Sequence, residues 1–268
     1  MFNLQFLDFL NTYDFKLPFL GGLFLFVYSL MLIFTLEKAS RHGVSRKDIF
    51  NLVGIVTIGG IIGARMSYLY AFPQSDINWM SALDLREIFY KGNLNIIGGY
   101  LGGFIIGAFY LKGFDPLKRS GMSWLKFFDT FLPILPIGMI FGYLGLFFVT
   151  VNKGAISEVT YPWVVMSGVN YVHPWALYIS MGYLILLIII SVFYNKIYNL
   201  NKPGYLTVIF VVGASLIHFI ADFWQTIDLT YGLPRIIGLT ITQILSLLIL
   251  LIISLTLLFI RNKSLNNQ

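Results

Sequence analysis

The chain has 268 residues, of which 57% are hydrophobic and only 11% charged, whereas soluble domains carry about 25% charged residues. This composition excludes an ordinary soluble enzyme and reads as an all-α integral membrane protein, a single polytopic domain over residues 1–268. Cysteine is absent, which excludes disulfides, thiolate metal sites and an enzyme-bound thioester.

The opening MFNLQFLDFLNTYDFK is aromatic and mildly amphipathic. It is expected to lie along the membrane interface, because it lacks the basic start, apolar run and small-residue cleavage site of a signal peptide. Seven apolar runs follow, near residues 17–36, 50–71, 94–112, 128–151, 173–194, 203–222 and 236–260. Each has the length of about 20 residues that a membrane helix needs.

The second run carries Gly59 and Gly63, then Arg65 and Tyr68 in GARMSYLY. The third reads NIIGGYLGGFIIGAFY, with Gly98 and Gly102 four apart, as are Gly99, Gly103 and Gly107. The fourth contains PILPIGMIFGYLGLFFV, with Gly138, Gly142 and a lone Tyr143. Four-residue spacing puts glycines on one helix face, where neighbouring backbones approach closely or an acyl chain finds room. His173 opens the fifth run, His218 and Asp222 lie near the end of the sixth, and Gln243 lies early in the seventh.

Twelve of the eighteen Lys and Arg residues fall in one alternating set of loops and termini, around residues 38–47, 112–126, 196–202 and 261–263. The positive-inside bias then places the N-terminus outside and the C-terminus in the cytoplasm. It also accounts for the basic net charge without a nucleic-acid partner. Two long outer loops, 72–93 and 152–172, carry interfacial Trp79, Tyr90, Tyr161, Trp163 and Tyr171.

In this orientation Arg65, Tyr143, His173, His218, Asp222 and Gln243 all fall in the outer half of the membrane. Ionisable groups at membrane depth are costly, so each is a site candidate. His218 and Asp222, four apart, share a helix face. A carboxylate beside a histidine orients a general base, or forms a structural hydrogen bond. Arg65 suits a lipid phosphate, an ion pair or snorkelling. His173, before Pro174, suits a helix start.

Taken together, these segments resemble the bacterial phosphatidylglycerol–prolipoprotein diacylglyceryl transferases. The matching pieces occur in family order: GGIIGARMSYLY at 59–70, IIGGYLGGFIIG at 96–107, DTFLPILPIGMIFGYLG at 129–145, Tyr161-Pro162-Trp163-Val164, His173-Pro174 through Leu177-Tyr178, and LTITQILSL at 239–247. The resemblance implies transfer of a diacylglyceryl group from phosphatidylglycerol to a lipobox cysteine of a precursor lipoprotein, at the outer leaflet of the bacterial plasma membrane. Membrane lipids are the remaining partners. It implies no metal and no cofactor.

Catalytic roles fall by this resemblance on His218 and Asp222, where the family has Arg and Glu. Substrate-binding roles fall on Arg65, Tyr68, Tyr143, His173 and Gln243. Several family polar positions are replaced: its Arg by Tyr143, its two Asn by Leu146 and Val149, its Glu by Val151, a His by Leu101, and a Gln and a Glu by Ala176 and Ile179. Two readings stay open, a diverged transferase and a relative that kept the packing but binds lipid without the reaction or acts on another lipid.

Overall fold

The computed structural model describes residues 16–71, 96–114, 120–149, 154–158, 161, 164–167, 170–199, 203–225 and 235–266. Residues 1–15 of the segment expected at the interface, the whole 72–93 loop with Trp79 and Tyr90, and Trp163 lie outside these residues. The chain divides into two compact units, one of Met1–Met31 with Phe128–Gln268 and one of Leu32–Phe127.

All seven apolar runs are helical. The first is α1 (Lys16–Arg41). In the Leu32–Phe127 unit, α2 (Arg46–Ala71) pairs with α3 (Ile96–Phe114). Their contact is backbone on backbone. A Cβ on Gly63 would be driven into the Gly98 carbonyl oxygen and come within 2.8 Å of Gly102 Cα. One on Gly102 would meet the Gly59 carbonyl. The glycine stripes therefore pack α2 against α3, as their spacing predicts.

In the larger unit, the expected helix over 128–151 is broken. α4 (Trp124–Phe131) ends in a 3-10 turn, Leu132–Ile134, before α5 (Leu135–Val149). Pro133 has no N–H to give to the preceding turn, and its ring crowds the residues before it. α6 (Trp175–Asn199) and α7 (Tyr205–Ala221) pack with α5 around Tyr143, Ile179, Tyr183, Ile190, Leu206 and Phe210. The last helix, α8 (Ile241–Asn266), packs on α7.

Asp129 ties α4 to the start of α7. Its Oδ2 accepts from the Gly204 N–H at 2.5 Å, and its Oδ1 accepts from the Thr207 N–H at 2.8 Å and hydroxyl at 2.7 Å. It satisfies N–H groups of the first turn, which have no partner within the helix, and sets a negative charge at the positive end of its dipole. Gly204 enters α7 with φ 101°, a left-handed conformation that glycine adopts without a Cβ penalty.

Two antiparallel hairpins lie between helices. β1 (Val165–Ser167) pairs with β2 (Asn170–Val172), and β3 (Arg235–Ile236) with β4 (Leu239–Thr240). The segment 154–157 runs along β2, where the Ser157 N–H donates to Tyr171 O at 2.8 Å and the His173 N–H to Ala155 O at 2.9 Å. These strands of two and three residues are too short to show a period in sequence.

Among the described residues, five helical segments are long and apolar enough to cross a membrane: Gly22–Arg41, Arg46–Leu69, Trp124–Phe148, Trp175–Tyr194 and Tyr205–Trp224. The outward faces are as apolar as the core; on α6, Leu184, Ile185, Ile188 and Val192 are exposed. A helix that is apolar all round belongs in a membrane or a large core.

Two substitutions test this packing. Gly63→Ala should lose about 1–3 kcal/mol, since the α2 and α3 backbones must separate. Gly54→Ala, on the same helix with nothing within 4 Å of the added methyl, should gain about 0.5–1 kcal/mol. Separately, Asp129→Ala should lose about 1–3 kcal/mol through the unsatisfied N–H groups of α7. Thermal unfolding in detergent reads all three.

Candidate functional site

In the larger unit the polar residues gather at the C-terminal end of α7. Asp222 follows the helix in a 3-10 turn, Asp222–Trp224, and is 1% exposed. Its Oδ1 accepts from the Trp175 indole N–H at 3.0 Å, and its Oδ2 from the Thr240 hydroxyl at 3.0 Å. A buried carboxylate needs such donors, because burial without them costs several kcal/mol, on the order of 2–7 for a polar group.

Thr240 and Gln243 form a reciprocal cap on α8. Thr240 Oγ1 accepts from the Gln243 N–H at 3.1 Å, while Gln243 Oε1 accepts from the Thr240 N–H at 2.9 Å. This is the T-x-x-Q capping box, written in the sequence as Thr240-Ile241-Thr242-Gln243. The other end of the Gln243 amide donates to Phe219 O at 3.0 Å. Gln243 thus joins α8 to α7, and Thr240 extends the network to Asp222.

Arg235 closes the same corner. Its Nη2 donates to Asp222 O at 3.4 Å and Gln225 O at 3.3 Å, and its Nη1 to Gly238 O at 3.4 Å. A cation near the last carbonyls of a helix complements its dipole.

His218 is on α7, one turn before Asp222, but no hydrogen bond joins the two. The expected carboxylate–histidine bond is replaced because Trp175 and Thr240 hold the carboxylate, while His218 Nε2 lies 3.1 Å from Tyr183 Oη on α6. Tyr143 completes an aromatic cluster. Its ring stacks on Tyr183 at 6.3 Å and meets the edges of Trp175 at 6.0 Å and His218 at 5.7 Å. Tyr183, 1% exposed, reads in sequence as one more core aromatic.

His173 stands before α6, two residues ahead of its first turn. Its Nδ1 lies 3.0 Å from Tyr178 Oη, and Trp224 packs against both rings.

In the smaller unit, Arg65 is 3% exposed on α2, its Cζ 5.9 Å from the centre of the Tyr68 ring. Arg65 and Tyr68 share a helix face, and the cation lies over the ring as cation–π attraction requires.

Gly142 and Tyr143 face opposite ways. Gly138, Phe141 and Gly142 of α5, with Leu23, Phe24, Val27, Tyr28 and Met31 of α1, line an apolar cavity of about 160 Å³. Tyr143 turns into the core instead. Tyr143, Ala176 and Ile179, positions where the resembling family carries polar side chains, belong to one buried apolar cluster, and Leu146 packs against it. Four of the replacements therefore gather in one place, while Leu101 lies exposed on α3.

Asp222→Asn should destabilise the protein by about 1–3 kcal/mol in thermal unfolding, because an amide N–H₂ replaces an oxygen that accepts from Trp175 or Thr240. Thr240→Val, which removes the donor and the cap together, should lose a similar amount.

The sequence profile described as prolipoprotein diacylglyceryl transferase matches residues 9–260. Similar curated proteins carry the name phosphatidylglycerol–prolipoprotein diacylglyceryl transferase. The Prochlorococcus marinus protein is 25% identical over 276 aligned positions, covering 92% of this chain and 90% of that one. The Campylobacter lari protein is 26% identical, covering 88% of each. The Thermotoga maritima protein is 27% identical, over 73% of this chain and 66% of its own length. With the profile matched across nearly the whole chain, the protein belongs to the prolipoprotein diacylglyceryl transferase family of membrane transferases.

Proposed function

We propose that this chain transfers the diacylglyceryl group of phosphatidylglycerol, or a related phospholipid, to the cysteine thiol of a precursor lipoprotein at the outer leaflet of a bacterial plasma membrane. The family match over residues 9–260 carries this reading. Seven spans with the N-terminus outside fit it. The third and seventh spans are then α3 and the apolar stretch Ile241–Thr256 of α8, and the Lys and Arg bias sets the direction.

His218 acts as the general base. It takes the thiol proton, sulfur forms a bond to the glyceryl carbon, and the carbon–oxygen bond to phosphate breaks with its electron pair on oxygen. The proton then passes to the departing glycerol phosphate, so the enzyme returns unchanged. Arg65, over the Tyr68 ring in the smaller unit, has the planar guanidinium that binds a lipid phosphate. Asp222 stabilises the imidazolium by charge. Tyr143 walls the histidine, His173 hydrogen-bonds the headgroup, and Gln243 holds Thr240 and so the carboxylate.

One observation favours a second reading, a relative that binds lipid without this reaction or acts on another lipid. Tyr143, Leu146, Ala176 and Ile179 turn a polar motif of the family into apolar packing. Such packing stabilises the fold but offers a phosphate nothing.

A lipobox peptide and phosphatidylglycerol vesicles separate the two. The transferase reading expects lipidated peptide, a loss of about 100-fold or more with His218→Ala, and a loss of about 100-fold with Arg65→Ala. Well-folded wild-type protein that makes no product, on phosphatidylglycerol or on other phospholipids, overturns it in favour of the second reading.

A further inference from the structure

We infer that Tyr183 is the positioning residue for His218: its hydroxyl oxygen accepts from Nε2–H and so leaves Nδ1 as the working nitrogen. The inference rests on the reading of His218 as the base. Tyr183 is held before the histidine meets it. It is 1% exposed on α6, stacked on the Tyr143 ring at 6.3 Å and 15° between planes. α6 and α7 also approach closely on either side of it, with Ile217 against Gly182 and Leu186 against Gly213. The phenol is therefore packed on its ring face, and the ring of His218, with its Nε2 3.1 Å away, meets a partner held by that packing.

The chemistry decides which partner donates. A hydroxyl that donated to Nε2 would put the ring proton on Nδ1 and leave no lone pair for a thiol proton. A hydroxyl that accepts keeps Nε2–H fixed and frees the Nδ1 lone pair. Nδ1 has no hydrogen-bond partner among the described residues. After Nδ1 takes the thiol proton, the Nε2–H bond to Tyr183 persists and strengthens, because its donor is now charged. The resembling family has an Arg at position 218 and has no need of such a partner; a histidine there needs one to fix its tautomer.

The chain has three histidines, so nitrogen NMR of isotope-labelled histidine resolves His218 once His42→Gln and His173→Gln identify the other two. The wild-type ring should show the Nε2–H tautomer alone. Tyr183→Phe keeps the stacked ring and removes the hydroxyl. It should give a tautomer mixture, with kcat down about 10-fold and KM within twofold. An Nδ1–H tautomer in the wild type, or a Tyr183→Phe variant unchanged in both tautomer and kcat, overturns the assignment. Wild type that makes no product overturns the transferase reading, and the tautomer spectrum still decides what Tyr183 holds.

Discussion

A carboxylate in apolar surroundings must be met by donors, and this chain meets two of them in full. Asp129 takes three donors at the start of α7, and Asp222 takes two at its end. One helix is thus held at both ends by buried acids, each reached from other elements of the chain. His218 stands on that helix, so its place in the larger unit depends on these bonds as much as on its own neighbours. In a membrane no water replaces a lost partner, which makes each bond a constraint on the whole helix.

The same physics separates what could be read in advance from what could not. All seven apolar runs became helices, because length and hydropathy are local properties of a run. The glycines of α2 and α3 met as their spacing required. The break at Pro133 was written in the residue itself, yet an uninterrupted apolar run concealed it. Asp129 carries no signal of its role in its own segment, since its partners lie 75 and 78 residues away. The partners of Asp222 lie 47 and 18 residues away, and the nearer His218 was the wrong candidate for its hydrogen bond. Helical proximity suggests a pair, and tertiary donors take precedence over it. Gln243 was the reverse case: its partner Thr240 was three residues off, in a recognised capping pattern, and attention to membrane depth hid it.

The departures from the family pattern are easier to understand in space than in sequence. Scattered along the chain, the changes to Tyr143, Leu146, Ala176 and Ile179 look like independent losses. They share one cluster, where a single unsatisfied polar group would cost about 1–3 kcal/mol. His218 remains polar at the margin of the cluster, with Tyr143 and Tyr183, stacked on each other, as its ring neighbours.

The glycine contact between α2 and α3 has a bearing on Arg65. Two residues after Gly63, Arg65 stands on a helix whose register against its neighbour is set by carbonyl oxygens and α-carbons rather than by side chains. Side chains can change rotamer to absorb a small displacement, and main chains in contact cannot. The guanidinium is therefore mounted on something close to a machined joint. Its root cannot drift, and a cation anchored in this way keeps its address even while the bilayer around it thins or thickens.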